Sequence, residues 1–296
     1  MPWQAQFIAL AATWGASFMF IKVLDRRWAP IDVALGRCAL GAVTLWLLVW
    51  LRGESPRFER RVWLHLVVAA LLFNVFPFTL YAFGETRVSS VLAGLWNATT
   101  PLFALLAILA AFPEEQPDRA RVTGLAVGFL GAALVLGPWR NIGSAELVGD
   151  LACAGAAACY GIGFPYTRRY LAGRTQSGTS LAAAQLLCAT VLLALFAPLA
   201  RAPTLDLGLD AVGSLLGLGA LGTGIAYILN YAVVRAAGST TASTVTYLIP
   251  VFSTLLGILV LGEALHWNEP LGAAVLICGI AVSEKRLRLR VARVGR

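Results

Sequence analysis

The sequence predicts an all-α integral membrane protein of ten transmembrane helices, arranged as two inverted five-helix repeats with both termini cytoplasmic. Three observations carry that expectation. Of 296 residues, 59% are hydrophobic and only 13% charged, whereas soluble domains run nearer 45–50% apolar. The apolar residues fall into blocks long enough to cross a bilayer, which takes roughly 20 residues of helix. One block is also written twice: SSVLAGLWNATTPLF (Ser89–Phe103) is echoed by GSTTASTVTYLIPVF (Gly238–Phe252), which aligns Pro101 with Pro250, Phe103 with Phe252, and Glu114 with Glu263 just beyond.

In chain order the predicted spans are 5–24, 31–51, 62–83, 88–110, 120–137, 149–167, 180–200, 212–234, 240–261 and 269–284. Polar or Pro/Gly-rich breaks separate them, among them DRRWAP, RGESPRFERR, PEEQPDR and GEALHWNEP. The first span lacks the basic flank of a cleaved signal peptide, so it is expected to remain as a helix. Arg52, Arg57, Arg60, Arg61, Arg119, Arg121, Arg168, Arg169, Arg174, Arg235 and the tail residues Lys285 to Arg296 fall on one side of this topology. Only Arg26, Arg27, Arg87, Arg140 and Arg201 fall on the other. Positive loops stay in the cytoplasm, so the net charge of +8 reflects topology and not nucleic-acid binding. Trp3, Trp28, Trp50, Trp63, Trp139 and Trp267 sit at predicted span ends, where headgroup anchors belong. Trp14 and Trp96 sit well inside.

TWGASFMFIK (Thr13–Lys22) resembles CYGIGFPYTR (Cys159–Arg168), and Tyr81-Ala82 matches Tyr231-Ala232. Five spans per repeat is an odd number, so the second repeat, residues 141–284, enters the membrane from the opposite side to the first, residues 1–140. A basic tail, 285–296, follows. Inverted repeats place a substrate site near the bilayer midplane.

The ten-helix, five-plus-five plan, the early WGxxF…K, an Arg in the second span (Arg37), and PLFALL and PVFSTL each followed by Glu make the chain similar to the drug/metabolite transporter superfamily. Within it the chain resembles the EamA-type exporters, and in particular their aromatic amino-acid exporters. The resemblance implies that spans 1, 3, 4, 6, 8 and 9 line a central cavity. It does not fix the substrate, since the scaffold carries amino acids, nucleotide sugars, sugar phosphates and drugs.

Other motifs yield simpler readings. Gly217-Leu-Gly219-Ala-Leu-Gly222 matches GxGxxG but lies in an apolar span, so it reads as a small-residue packing face, as do Gly15, Gly161, Gly163 and Gly213. Asn97-Ala-Thr99 matches a glycosylation acceptor at bilayer depth, where no sugar is attached. The sequence holds no GxxxxGK[ST], and His65 and His266 lie too far apart for a zinc cluster. Cys38, Cys153, Cys159, Cys188 and Cys278 all fall in apolar segments and read as small buried hydrophobes. Neither an enzyme nor a cofactor is expected.

The intramembrane charges are Lys22, Arg37 and Glu85. Such groups are costly and commonly functional; the alternatives are snorkelling for Lys22 and Glu85 and a structural tie of Arg37 to carbonyls, Asp32 or Glu85. No acidic residue falls near the middle of a span, which weakens a proton-coupled mechanism. The neutral cavity candidates are Trp14, Phe18, Asn74, Phe78, Tyr81, Trp96, Asn97, Thr100, Tyr160, Phe164, Tyr227, Asn230, Thr246 and Tyr247. Aromatic walls with a few amides and hydroxyls suit a ligand with a flat or apolar body and a small polar head. Pro77, Pro101, Pro165 and Pro250 are candidate hinges, and Tyr81 and Tyr231 candidate gates at opposite mouths, with interfacial anchoring as the alternative for both tyrosines. The expectation is an exporter of aromatic and neutral amino acids and related metabolites in a bacterial inner membrane. Its partners are the small-molecule substrate and the bilayer, with no nucleic acid, and a monomer is compatible with it. A carrier of amphipathic drugs or another metabolite, or a non-transporting scaffold or receptor, is the alternative.

Overall fold

The computed structural model describes residues 1–54, 56–111, 119–137, 139, 143–171, 176–199, 208–237, 242 and 244–283. Glu114, Arg140, Arg174, Arg201 and the basic tail lie outside the described residues. Among those described, all regular structure is helical. The helices are α1 (Trp3–Leu24), α2 (Pro30–Leu51), α3 (Arg60–Ala70), α4 (Phe76–Glu85), α5 (Ser90–Asn97), α6 (Thr100–Ala111), α7 (Arg119–Leu136), α8 (Ser144–Tyr170), α9 (Gly178–Phe196), α10 (Leu209–Leu216), α11 (Ala226–Ala237), α12 (Ile249–Leu261) and α13 (Asn268–Ser283). Among the described residues eight helical stretches are long and apolar enough to cross a membrane, and Val122–Leu136 and Asn268–Val282 are shorter apolar helices.

The third and eighth spans run as continuous helical stretches, Arg60–Glu85 and Leu209–Ala237, but each changes its hydrogen-bond register partway. α3 passes into α4 through a π-helical turn, Leu71–Val75, and α10 into α11 through a longer one, Gly217–Ile225. A π turn widens the helix by one residue and frees backbone groups, a geometry frequent at functional sites. Pro77 follows the first π turn at the beginning of α4. Pro101 and Pro250 stand in the first turns of helices that follow a break, where a missing N–H costs least. The fourth span breaks at Ala98–Thr99 with Pro101 in the first turn of α6, and the ninth begins as a 3₁₀ turn, Thr244–Tyr247, before Pro250 opens α12. Pro165 differs, for it lies inside the continuous α8, where the Thr167 hydroxyl donates to the carbonyls of Gly163 (3.0 Å) and Phe164 (3.2 Å).

Glycines let the helices approach. A Cβ on Gly219 or Gly222 would meet Leu40 Cβ at 2.6 Å or Ser17 Oγ at 2.8 Å, so the GxGxxG stretch is a packing face against α1 and α2. Gly213 is the exception, with nothing within 4 Å of its ideal Cβ; it does not belong to that face. The tightest approach to a neighbouring backbone, α7 on α13, is one the sequence reading did not single out: a Cβ on Gly131 would sit 2.3 Å from Leu276 N, and one on Gly279 2.3 Å from Gly128 N.

Polar ties fasten both ends of the bundle. Where α1 and α4 finish, Glu263 accepts from Ser90 N (2.9 Å), Ser90 Oγ (2.8 Å) and Val91 N (3.1 Å). Its carboxylate thereby satisfies free donors of the first turn of α5 and meets the positive end of its dipole. Asn268 Nδ2 donates to the Leu134 and Val135 carbonyls that end α7. At the opposite end Glu54 accepts from the hydroxyls of Ser177 and Ser180, each at 2.6 Å. Ser177 also caps α9 through Ser180 N. Trp28 departs from its predicted interfacial role: it is 6% exposed within the core, whereas Trp50, Trp139 and Trp267 are exposed.

Candidate functional site

A cavity of about 130 Å³ lies among α1, α2, α4, α5, α6, α8, α11, α12 and the two π turns. Of the predicted residues it brings together Trp14, Phe18, Phe78, Tyr81, Asn97, Thr100, Tyr160, Phe164, Tyr227 and Thr246, and it adds Ser17, Ile21, Arg37, Phe73, Gly222, Thr223 and Ile249. The stripe on α1 follows from helix geometry, since residues 14, 17, 18 and 21 share a face at i, i+3, i+4 and i+7. That periodicity is the signal by which Ser17 and Ile21 were findable. Phe73 and Thr223 had no such signal, because the π turns shift the face.

The wall is largely aromatic. Phe18 meets Tyr81 edge-on, centroids 5.3 Å apart, and Tyr160 lies 6.1 Å from Tyr81 and 6.0 Å from Phe73. Phe164 abuts Phe73 at 5.2 Å. The Tyr81 hydroxyl donates to Asn97 Oδ1 at 3.2 Å, fixing the amide orientation at the break between α5 and α6. The buried Thr100 hydroxyl has no partner.

Arg37 supplies the charge. It is 8% exposed, donates from Nε to Thr223 Oγ1 at 2.9 Å and lays its guanidinium 3.7 Å above the Phe78 ring. Thr223 in turn donates to the Leu218 carbonyl at 3.0 Å, a backbone acceptor made available by the π turn. The tie is therefore to Thr223 and Phe78, and neither Asp32 nor Glu85 bonds to it. A guanidinium has five donors, so Arg37 keeps capacity beyond the one Thr223 accepts.

Four predicted residues lie elsewhere. Trp96 turns away, donating from Nε1 to the buried Asp150 at 2.6 Å, and lines a separate apolar cleft with Phe103 and Phe129. Asn74 is fully buried behind the wall and accepts from Gln185 Nε2 at 2.7 Å. Tyr247 packs on the cluster of Ala98 and Leu102, and Asn230 is partly exposed on α11 and is not part of the lining. Of the gate candidates, Tyr81 is 2% exposed in the cavity wall. Tyr231 packs near Tyr227 (6.4 Å) and over Gly178, where a Cβ would meet its ring at 2.5 Å. Lys22 does not snorkel: its ammonium donates to the carbonyls of Glu85 and, at 2.7 Å, Val88. Glu85 is completely buried.

Apolar helices around a central cavity, with an aromatic wall and a guanidinium, have the features of a membrane carrier. The chain belongs to the EamA-like transporter family, whose sequence profile matches residues 1–137 and 147–284. It is therefore a multi-pass membrane transporter. It is similar to the uncharacterized transporter YoaV of Bacillus subtilis (strain 168), 25% identical over 276 residues that cover 92% of this chain and 93% of the relative. It is also similar to a probable terminal-alkyne amino-acid exporter of Streptantibioticus cattleyicolor, 26% identical over 284 residues, or 94% of this chain and 92% of the relative. Among solved structures, a crystal structure 21% identical in sequence shares the fold with a TM-score of 0.66, covering 95% of this chain and 96% of that one.

Proposed function

We propose that this transporter exports aromatic and other neutral amino acids, with related small metabolites, across a bacterial inner membrane by alternating access. It does so as ten helices in two inverted five-helix repeats, 1–140 and 141–284, with both termini cytoplasmic. The observation that carries the substrate class is Arg37 over Phe78 within an aromatic wall. A guanidinium binds a carboxylate through paired donors, the rings take a flat side chain, and the Thr100 hydroxyl and Asn97 amide are suited to the ammonium end. One cation meets the single carboxylate of a neutral amino acid. A nucleotide sugar, with several anionic oxygens, would need more. The relative from S. cattleyicolor, a probable terminal-alkyne amino-acid exporter, supports the same class.

The alternating motion finds support in the pairing of the interruptions. π turns occur in the third and eighth predicted spans, and proline-started helices follow a break in the fourth and ninth. A break occurring once per half, at the cavity, is what rocking of one repeat against the other requires. Ligand-induced thermal stabilisation tests the substrate class, because a ligand that binds only the folded state raises Tm by mass action. Phenylalanine and tryptophan should stabilise the purified protein, and their decarboxylated amines and a nucleotide sugar should not. Stabilisation by amines equal to that by amino acids would refute the carboxylate role.

A further inference from the structure

Two acidic side chains extend the cavity-facing stripes beyond the cavity. At the C-cap of α1, Asp25 follows the lining residue Ile21 by four positions, and on α4, Glu85 follows Tyr81 by four. Each thus lies one helical turn past the cavity on the same face. Glu85 is 0% exposed, and both oxygens of both carboxyls are buried without a hydrogen-bond partner. Asp32 has one oxygen in the same condition, but other acids of the bundle are met by donors. Glu263 is met by three donors of α5, and Asp150 by the indole N–H of Trp96.

The groups that face this pair come from every neighbouring element: Lys22 from α1, Arg37 from α2, Tyr81 from α4, Cys153 from α8, with Asp150 beside Cys153, and Glu263 from the turn after α12. Most are already engaged. Arg37 is held by Thr223 and Phe78, and Glu263 and Asp150 have the partners just named. Lys22 is the cation within reach, but its ammonium is bonded to the backbone carbonyls of Glu85 and Val88. With both acids ionised, Lys22, Asp25 and Glu85 sum to a net negative charge in a place without donors, and a buried ion without partners is strongly disfavoured. One proton on the pair makes the group neutral. Burial pushes the Asp25 carboxyl, just past the end of α1, up to about 8, while the Lys22 charge pulls it down.

We propose that Asp25 and Glu85 form a proton-binding site, and that the carrier takes in a proton there in exchange for the substrate it exports. The coupling half rests on the transport function proposed above. The step is a simple acid–base one: a carboxylate oxygen gains an O–H bond from water on the outer side and gives up the same proton on the inner side, with no redox partner. Inward movement of one proton against a zwitterionic amino acid carries one positive charge inward. Transport should therefore respond to membrane potential as well as to a pH gradient.

Two measurements on the full-length protein in liposomes separate the site from the transport reading. Infrared spectroscopy across a pH titration should show the C=O stretch of a protonated carboxyl near neutral pH, lost or shifted in Glu85→Gln and in Asp25→Asn. Should Glu85→Gln fold poorly, the milder Asp25→Asn and the wild-type titration still decide. A spectrum in which neither substitution moves such a band overturns the site. Phenylalanine flux should then be accelerated by an opposing proton gradient in the wild type, and this acceleration should vanish in Glu85→Gln while exchange without a gradient persists. Flux indifferent to the gradient in the wild type overturns the coupling. Absence of any amino-acid flux, with the substitution-sensitive band present, sinks the substrate reading and leaves the proton site standing.

Discussion

Replacing Arg37 by Gln removes the one charge among the described residues of the cavity wall while keeping a polar side chain of similar reach. The wild-type guanidinium gives a hydrogen bond to Thr223 and a stacked contact to Phe78, and the account assigns its spare donors to the substrate carboxylate. A hydrogen bond to a charged group contributes about 1.5–3 kcal/mol, which corresponds to roughly 10- to 150-fold in affinity at ~1.4 kcal/mol per tenfold. R37Q should therefore raise the apparent KM for phenylalanine by at least about tenfold. Affinity for phenethylamine, which lacks the carboxylate, should change little, so the preference for amino acid over amine should collapse. Transport in proteoliposomes reads both ligands against an equal amount of folded protein checked by gel filtration. An equal loss for amino acid and amine would show that Arg37 only holds Thr223 and Phe78 in place, and the substrate assignment would fail.

Other outcomes are expected from the same geometry. Tyr81→Phe removes the hydroxyl that orients Asn97 and should weaken substrate affinity by about 1 kcal/mol, some fivefold, with little change in Tm. Gly279→Val drives a side chain into the Gly128 backbone, 2.3 Å from its ideal Cβ, and should lower the folded yield sharply, whereas Gly213→Ala, with open space around it, should be neutral. The Glu54 carboxyl is held below the usual carboxylate range first by the Ser177 and then by the Ser180 hydroxyl. Its folded pKa is depressed, so the tie contributes fully above the unfolded value and is lost as pH falls through the folded one. In this exposed position it contributes below about 1 kcal/mol, and melting curves should show a small acid-side loss that Glu54→Gln abolishes. For the tyrosine pair, single cysteines at 81 and 231 in a cysteine-free background should change labelling in opposite directions when substrate is added. Indifference at both positions would reduce them to packing residues.

Much of the architecture was legible because the bilayer imposes it. Twenty-residue apolar blocks, arginine-bearing breaks and prolines are visible in a linear string, and Pro101 and Pro250 marked broken helices, each of which the structure shows restarting at its proline. The α1 stripe through Trp14 and Phe18 was legible for the same reason, helical period. What could not be read depends on which way a side chain turns within a face. Trp96 and Asn97 are sequence neighbours, yet a 100° rotation sends one to Asp150 and the other to the cavity. Asn74 sits in a π turn, which no residue type in LLFNV announces, and the changed register hides it behind the wall. Glu85 was singled out as an intramembrane charge, but its partner Asp25 was not. Asp25 stands just past a helix end, where a sequence reads solvent or headgroups, and only the packing of α1 on α4 removes it from both.

The central claim is that one cavity is presented alternately to the two sides of the membrane and carries amino acids. Trans-stimulated counterflow of labelled phenylalanine in proteoliposomes tests it most directly. The account predicts that unlabelled phenylalanine or tryptophan inside the vesicles accelerates entry of label, that phenethylamine inside does not, and that R37Q loses the acceleration. Entry of label at the same rate with empty and loaded vesicles, or no entry above protein-free liposomes, would contradict it.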